Sequence, residues 1–145
     1  MVRNRLLRRR SEFWAGSGWT DEAVCALHDP VFFHQLGGFG ALALTPEDDD
    51  AGYLLGMVSA DRLAVVHAIA VHPDHRRRGL GTALVDRFAR LATSLGARVL
   101  QAVVAPADAG TRTLGARLGA AVTYSPDHAG PGADRVVLTS SLPLA

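Results

Sequence analysis

Apolar and polar positions divide the chain into short elements that follow a polar start. Residues 63–71 are almost wholly apolar and rich in Val and Ile, which predicts a central strand covered on both faces. Pro73 cannot donate a ladder hydrogen bond and pushes His72 away from helical geometry, so the strand is expected to stop near His72. Leu80, Leu84, Leu91 and Leu95 then recur at helical spacing, Ala83, Phe88 and Ala92 widen the apolar stripe, and Gly96 terminates it. Upstream, Thr20 followed by Asp21 and Glu22 is a good helix start, since the hydroxyl accepts an otherwise unpartnered N–H and the acids suit the dipole. Pro30 interrupts the apolar face behind it, so two short helices are expected before Gly37-Gly38. Residues 39–45 and 53–60 read as strands joined by the acidic turn 46–52, and with 63–71 they make an antiparallel meander.

Past the central helix, 97–105 reads as a strand, 106–118 as a weaker helix containing Gly110 and Gly115, and 121–124 and 135–142 as the last strands. A strand–helix–strand unit with short connections crosses over right-handedly, so 97–105 is expected parallel to the central strand. Residues 125–134 are too rich in Gly and Pro for regular structure. The predicted class is α/β: one domain over 1–145, with 1–19 as an irregular N-terminal arm.

Composition narrows the function classes. A net charge of +1 creates no global field to recruit nucleic acid or a membrane, so any basic function must be local. No apolar run reaches the length of a membrane span, and the single Cys25 rules out an internal disulfide and fits a reducing cytoplasm. His28 and His34 have no carboxylate or cysteine at ligand spacing, and the run from Glu47 to Asp50 reads as a solvated hairpin tip, so no metal is expected. The arginine-rich first ten residues lack the apolar core and cleavage site of a targeting segment.

The chemistry concentrates after the central strand, where Arg76, Arg77, Arg78, Gly79, Leu80, Gly81 and Thr82 open a helix. The first N–H groups of a helix have no intrahelical partner and carry partial positive charge, and glycines let an anion approach the main chain. There is no Gly-Lys-Ser/Thr ending, and the chain contains no lysine, which excludes a P-loop. The third glycine and downstream acid of a dinucleotide-binding turn are also missing.

Arg76-x-x-Gly79-x-Gly81 after Val71-His72-Pro73 closely resembles the acetyl-CoA pyrophosphate motif of the GNAT superfamily of N-acetyltransferases. A narrower likeness, to bacterial members, rests on Val66-His67 through Pro73 and on Gly130-Pro131-Gly132-Ala133-Asp134-Arg135-Val136. The resemblance implies a mixed central sheet with an antiparallel N-terminal meander, a parallel splayed strand pair and flanking helices. It implies acetyl-CoA as co-substrate, with main-chain groups of Ile69, Ala70 and Val71 along the pantetheine arm and residues 76–82 around the pyrophosphate. Asp108 takes the place of the family's early asparagine on the following helix. The acceptor implied is a primary amine of a small molecule or peptide, with no nucleic acid and no membrane, and homodimerisation is left open.

His67 stands where many members carry a glutamate base, and strand alternation would put it on the face of Ile69. A neutral imidazole suits proton removal, while a hydrogen-bonded core role is the competing reading. The family's usual tyrosine acid falls at Gly115, which donates nothing, and Tyr124 is the candidate phenol in its place. That loss keeps in play a non-catalytic CoA-binding or sensing domain, and the runs Arg3–Arg10 and Arg76–Arg78 raise a further reading, an arginine-based interaction module. The second of these lacks aromatic residues among its basic runs for bases to stack on.

Overall fold

The computed structural model describes residues 10–29, the backbone of 39–44, and residues 50–144. Within these the order is α1 (Arg10–Phe13), α2 (Asp21–Leu27), β1 (Phe39–Leu44), β2 (Asp50–Val58), β3 (Leu63–Val71), a short 3-10 turn (Pro73–His75), α3 (Leu80–Ser94), β4 (Val99–Val104), α4 (Ala109–Arg117), β5 (Ala121–Ser125) and β6 (Arg135–Ser141). The strands form one mixed sheet in the order β1-β2-β3-β4-β6-β5, antiparallel except for the β3–β4 pair. The meander, the crossover and the helix–strand alternation are therefore as the sequence pattern requires. The second helix expected before Gly37 and most of the acidic turn fall outside the described residues.

Three details differ from the expectations. β2 begins at Asp50 rather than Tyr53, and Asp50 is only 3% exposed. The Ala51 carbonyl accepts the His72 N–H (2.8 Å), so residues read as a solvated turn are part of the sheet. Second, Leu91 and Leu95 are 47% and 60% exposed, while Leu84, Val85, Phe88, Ala89 and Ala92 are buried. The helix is rotated so that Phe88 lies over Gly56, where a Cβ would fall 2.6 Å from the ring. Third, the described part of the arm, residues 10–19, carries a short helix and buried aromatics. Arg10–Phe13 is helical, Phe13 is 0% exposed, and Trp14 is buried beside Val24 and Tyr53.

β3 carries a one-residue irregularity with large consequences. Leu55 opposes Ala68 while Gly56 opposes Val66, which leaves His67 as the extra residue of a bulge. The alternation of side chains changes phase there. Before it, Ala64 and Val66 pack on α3; after it, Ile69 and Val71 face the α3 cluster, and Ala68 and Ala70 join the cluster of Phe13, Trp14, Val24 and Tyr53.

Those N-terminal aromatics are secured by a buried polar chain. The Trp14 Nε1–H donates to the Tyr53 hydroxyl (2.6 Å), which also meets His28 Nε2 (2.7 Å), and His28 Nδ1 meets the Val24 carbonyl (2.7 Å). A carbonyl only accepts, so His28 Nδ1 holds a proton toward Val24, and the Tyr53 hydroxyl bridges Trp14 and His28 Nε2.

Candidate active site

The site begins where the parallel pair comes apart. β3 pairs with β4 only from Leu63 to Val66, opposite Val99 to Ala102, although both strands continue. Because His72 bonds toward β2, alternation aims the main-chain groups of Ile69 and Val71 at the opposite edge, into the widening gap. A cavity of about 790 Å³ occupies that region, lined by Ile69, Ala70 and Val71, by the turn into α3, and by the start of α4.

The turn into α3 brings main-chain N–H groups to one end of the cavity. Arg77 and Gly79 both adopt positive φ (64° and 77°), conformations that curl successive N–H groups toward one side. Only glycine takes the Gly79 conformation without strain, and Gly79 caps the helix by position rather than by a side chain. The first intrahelical bond is from the Ala83 N–H to the Gly79 carbonyl (3.0 Å), so the N–H groups of Leu80, Gly81 and Thr82 precede the helical ladder. All three residues line the cavity. A Cβ on Gly81 would stand 3.4 Å from Leu114 of α4, so larger side chains there would project into the narrow space between the two helices.

The three arginines do not act together. Arg77 lines the cavity, whereas Arg78 is exposed and does not. Arg76 also borders the cavity, yet its guanidinium is engaged by main chain: Nε donates to the Val71 carbonyl (3.0 Å), and Nη2 to those of Phe13 (3.2 Å) and Ala15 (3.1 Å). Of the three arginines expected around one phosphate group, Arg76 and Arg77 border the cavity, and Arg76 is the one held by main-chain carbonyls.

Asp108 is buried at the N-cap of α4 and borders the cavity, but its carboxylate is already satisfied. It accepts from the Thr111 N–H (3.0 Å), the Thr111 hydroxyl (2.8 Å) and Trp19 Nε1 (2.8 Å). The sequence reading also missed a wall of the cavity, made by Phe13, Trp14, Gly16 and Ser17. The available signal was that both tryptophans of the chain, Trp14 and Trp19, fall within residues 10–19, and tryptophan is highly buried on average.

The pattern of the Acetyltransferase (GNAT) family matches residues 6–120. The chain belongs to the GNAT acetyltransferase family. It is accordingly an acyl-transferring enzyme. A comparison with curated proteins returns no match. Among solved structures, a GNAT-family protein from Desulfovibrio desulfuricans is similar at 25% identity, covering 97% of this chain and 94% of that one, with a TM-score of 0.77. An acetyltransferase from Bacillus subtilis solved with CoA shares the fold at 18% identity, 91% and 92% coverage and a TM-score of 0.68. A spermidine N-acetyltransferase from Vibrio cholerae does so at 15% identity, 97% and 90% coverage and a TM-score of 0.70.

The GNAT frame makes the positions of the proton-transfer candidates informative. The bulge places His67 away from the face of Ile69, and its Nε2 lies 2.8 Å from the Leu27 carbonyl at the end of α2. Burial pushes its pKa below the ordinary 6.5, and the Leu27 carbonyl opposes that shift. It does not line the cavity. Tyr124 is 56% exposed on β5, at the far edge of the sheet, with its hydroxyl bonded to Asp134. That bond raises the phenol's pKa and lowers the carboxyl's. The polar loop behind Tyr124 closes on itself: Asp134 also accepts from the Asp127 N–H (2.8 Å), and Ser125 meets His128 Nδ1 (3.0 Å).

At Gly115 a Cβ would lie 2.9 Å from a terminal methyl of Leu138, so a larger residue there would require that side chain to shift. Among the described residues no helix is long and apolar enough to cross a membrane, and no cluster of three or more His, Cys, Asp or Glu is placed to hold a metal.

Proposed function

We propose that this protein transfers the acetyl group of acetyl-CoA to a primary amine of a small molecule or peptide by direct attack, without a metal. The observation that carries this reading is the gap between β3 and β4, which opens onto the N–H groups that begin α3 within a single cavity. A pantetheine arm has amides that match the main-chain groups of Ile69 and Val71 facing that gap. A pyrophosphate matches the N–H groups of residues 80–82, with Arg77 adding a charge-assisted contact. The Bacillus subtilis relative solved with CoA and the Vibrio cholerae relative that acetylates spermidine support the co-substrate and the acceptor class respectively.

The reaction needs little from side chains. A neutral amine lone pair attacks the acetyl carbonyl, the carbon–nitrogen bond forms, and the carbon–sulfur bond breaks. The thiolate is a tolerable leaving group near neutral pH. The ammonium proton passes to water, because His67 is turned toward α2 and Tyr124 lies at the sheet edge. In this reading His67 positions α2 rather than acting as base.

A non-catalytic CoA-binding domain is the second reading, favoured by the absence of any side-chain donor at Gly115. Calorimetry with CoA, followed by thiol release from acetyl-CoA across polyamine, aminoglycoside, amino-acid amide and peptide acceptors, separates the two. We expect CoA binding and amine-dependent thiol release. Binding without release on every amine would select the second reading, and absence of CoA binding would sink both.

A further inference from the structure

The N-terminal segment passes from one side of the strand gap to the other and is held on both. On the β3 side, Arg76 Nη2 donates to the carbonyls of Phe13 and Ala15 while its Nε holds the Val71 carbonyl. On the β4 side, Trp19 Nε1 donates to Asp108, and the Arg135 guanidinium sits 5.2 Å from the centre of the Trp19 ring. Gly18 lies directly against the Ala107 backbone, where a Cβ would fall 2.3 Å from the carbonyl oxygen. Between these attachments Gly16 and Ser17 form part of the cavity wall, and the Ser17 N–H donates to the Trp14 carbonyl (3.1 Å).

We propose that residues 15–19 are a strap across the mouth of the strand gap, and that Arg76 is a positioning residue holding it rather than a phosphate ligand. The planar guanidinium offers donors in a fixed fork, and here the fork meets three carbonyls from two segments about sixty residues apart in sequence. Arg76 belongs by backbone to the phosphate turn and by side chain to the strap. Whatever orders the turn therefore orders the strap. Phosphate binding is left to Arg77 and to the N–H groups that start α3. The coupling half of the proposal rests on the CoA reading; the strap itself does not.

The test combines calorimetry with CoA and amide hydrogen exchange on the full chain. In Arg76→Ala, exchange over residues 15–19 should accelerate at least about tenfold, because the local opening no longer breaks the charge-assisted bond to Ala15 and its Phe13 anchor is lost. CoA affinity should stay within about threefold, a change too small for the loss of a charged phosphate contact. CoA should slow strap exchange in the wild type but not in Arg76→Ala, with the residue 80–82 amides protected in both. Trp19→Phe keeps the ring but removes the Nε1 donor, and should speed exchange in the same segment. Loss of CoA affinity by about tenfold in Arg76→Ala with strap exchange unchanged would overturn the proposal.

If Arg76→Ala alters both quantities, Arg76→Lys decides, since lysine keeps the charge but not the fork. Affinity recovered while exchange stays fast would make Arg76 a phosphate ligand and overturn the proposal; affinity still lost with exchange fast would uphold it. Failure of the wild type to bind CoA would strike the function proposed above, and the ligand-free exchange rates would still uphold or overturn the strap.

Discussion

At Gly81 a single side chain decides how much room the turn into α3 leaves beside α4. Its missing Cβ leaves 3.4 Å to Leu114, so a methyl is tolerable, but the branches of valine would occupy the cavity between α3 and α4. Gly81→Val should weaken CoA binding by about tenfold or more, equivalent to losing one good charge-assisted hydrogen bond, as read by calorimetry. Equal affinity in the variant would place the phosphates elsewhere. The same residue-level reading separates three neighbouring arginines that look alike in sequence. Arg77 borders the cavity, Arg78 is exposed outside it, and Arg76 reaches back to carbonyls of the N-terminal segment. Nothing in the run of residue types distinguishes them, because the distinction lies in which distant carbonyls happen to be within reach.

Between elements, the attachment of α1 and α2 to the sheet depends on Tyr53, which is 1% exposed on β2. Its hydroxyl joins Trp14 from the N-terminal segment to His28 just past α2, and Phe13 meets its ring edge-on at 5.2 Å. Tyr53→Phe preserves the ring packing but leaves the buried Trp14 N–H and His28 Nε2 without this hydroxyl. The expected cost is about 1–3 kcal/mol of folding stability, measured from the urea unfolding midpoint. A variant as stable as the wild type would show that the polar chain is neutral and that aromatic packing alone holds these helices. Helix α3 illustrates the limit of periodicity at this scale. The leucine repeat correctly identifies a helix, while its buried face is set by where Phe88 meets the gap in side chains at Gly56.

For the whole molecule, His67 links the sheet to α2 and gives stability a pH dependence of known sign. Burial holds its pKa below the ordinary 6.5, so the fold favours the neutral ring. Its contribution is fully present above that ordinary value and is lost as pH falls from there through the folded pKa. His67→Gln keeps an N–H toward the Leu27 carbonyl but does not titrate. The wild type should therefore lose stability more steeply than the variant between pH ~7.5 and pH ~5.5, followed by denaturant unfolding. Equal slopes would mean that His67 titrates alike in the folded and unfolded chains.

The sequence by itself determined the order of the elements, the parallel crossover and the glycine turn that opens α3. Those features are written locally: Pro73 ends a strand, Gly79 supplies a left-handed residue, and apolar periodicity separates helix from strand within a few positions. Tertiary structure alone decided the bulge that turns His67 from Ile69 and the pairing of Trp19 with Asp108. It also decided the carbonyls that take up Arg76 and the packing of Leu138 against position 115. Each of these depends on segments distant in sequence meeting at one point, and one unpaired residue in a strand reverses the faces of all that follow, which local residue patterns cannot encode.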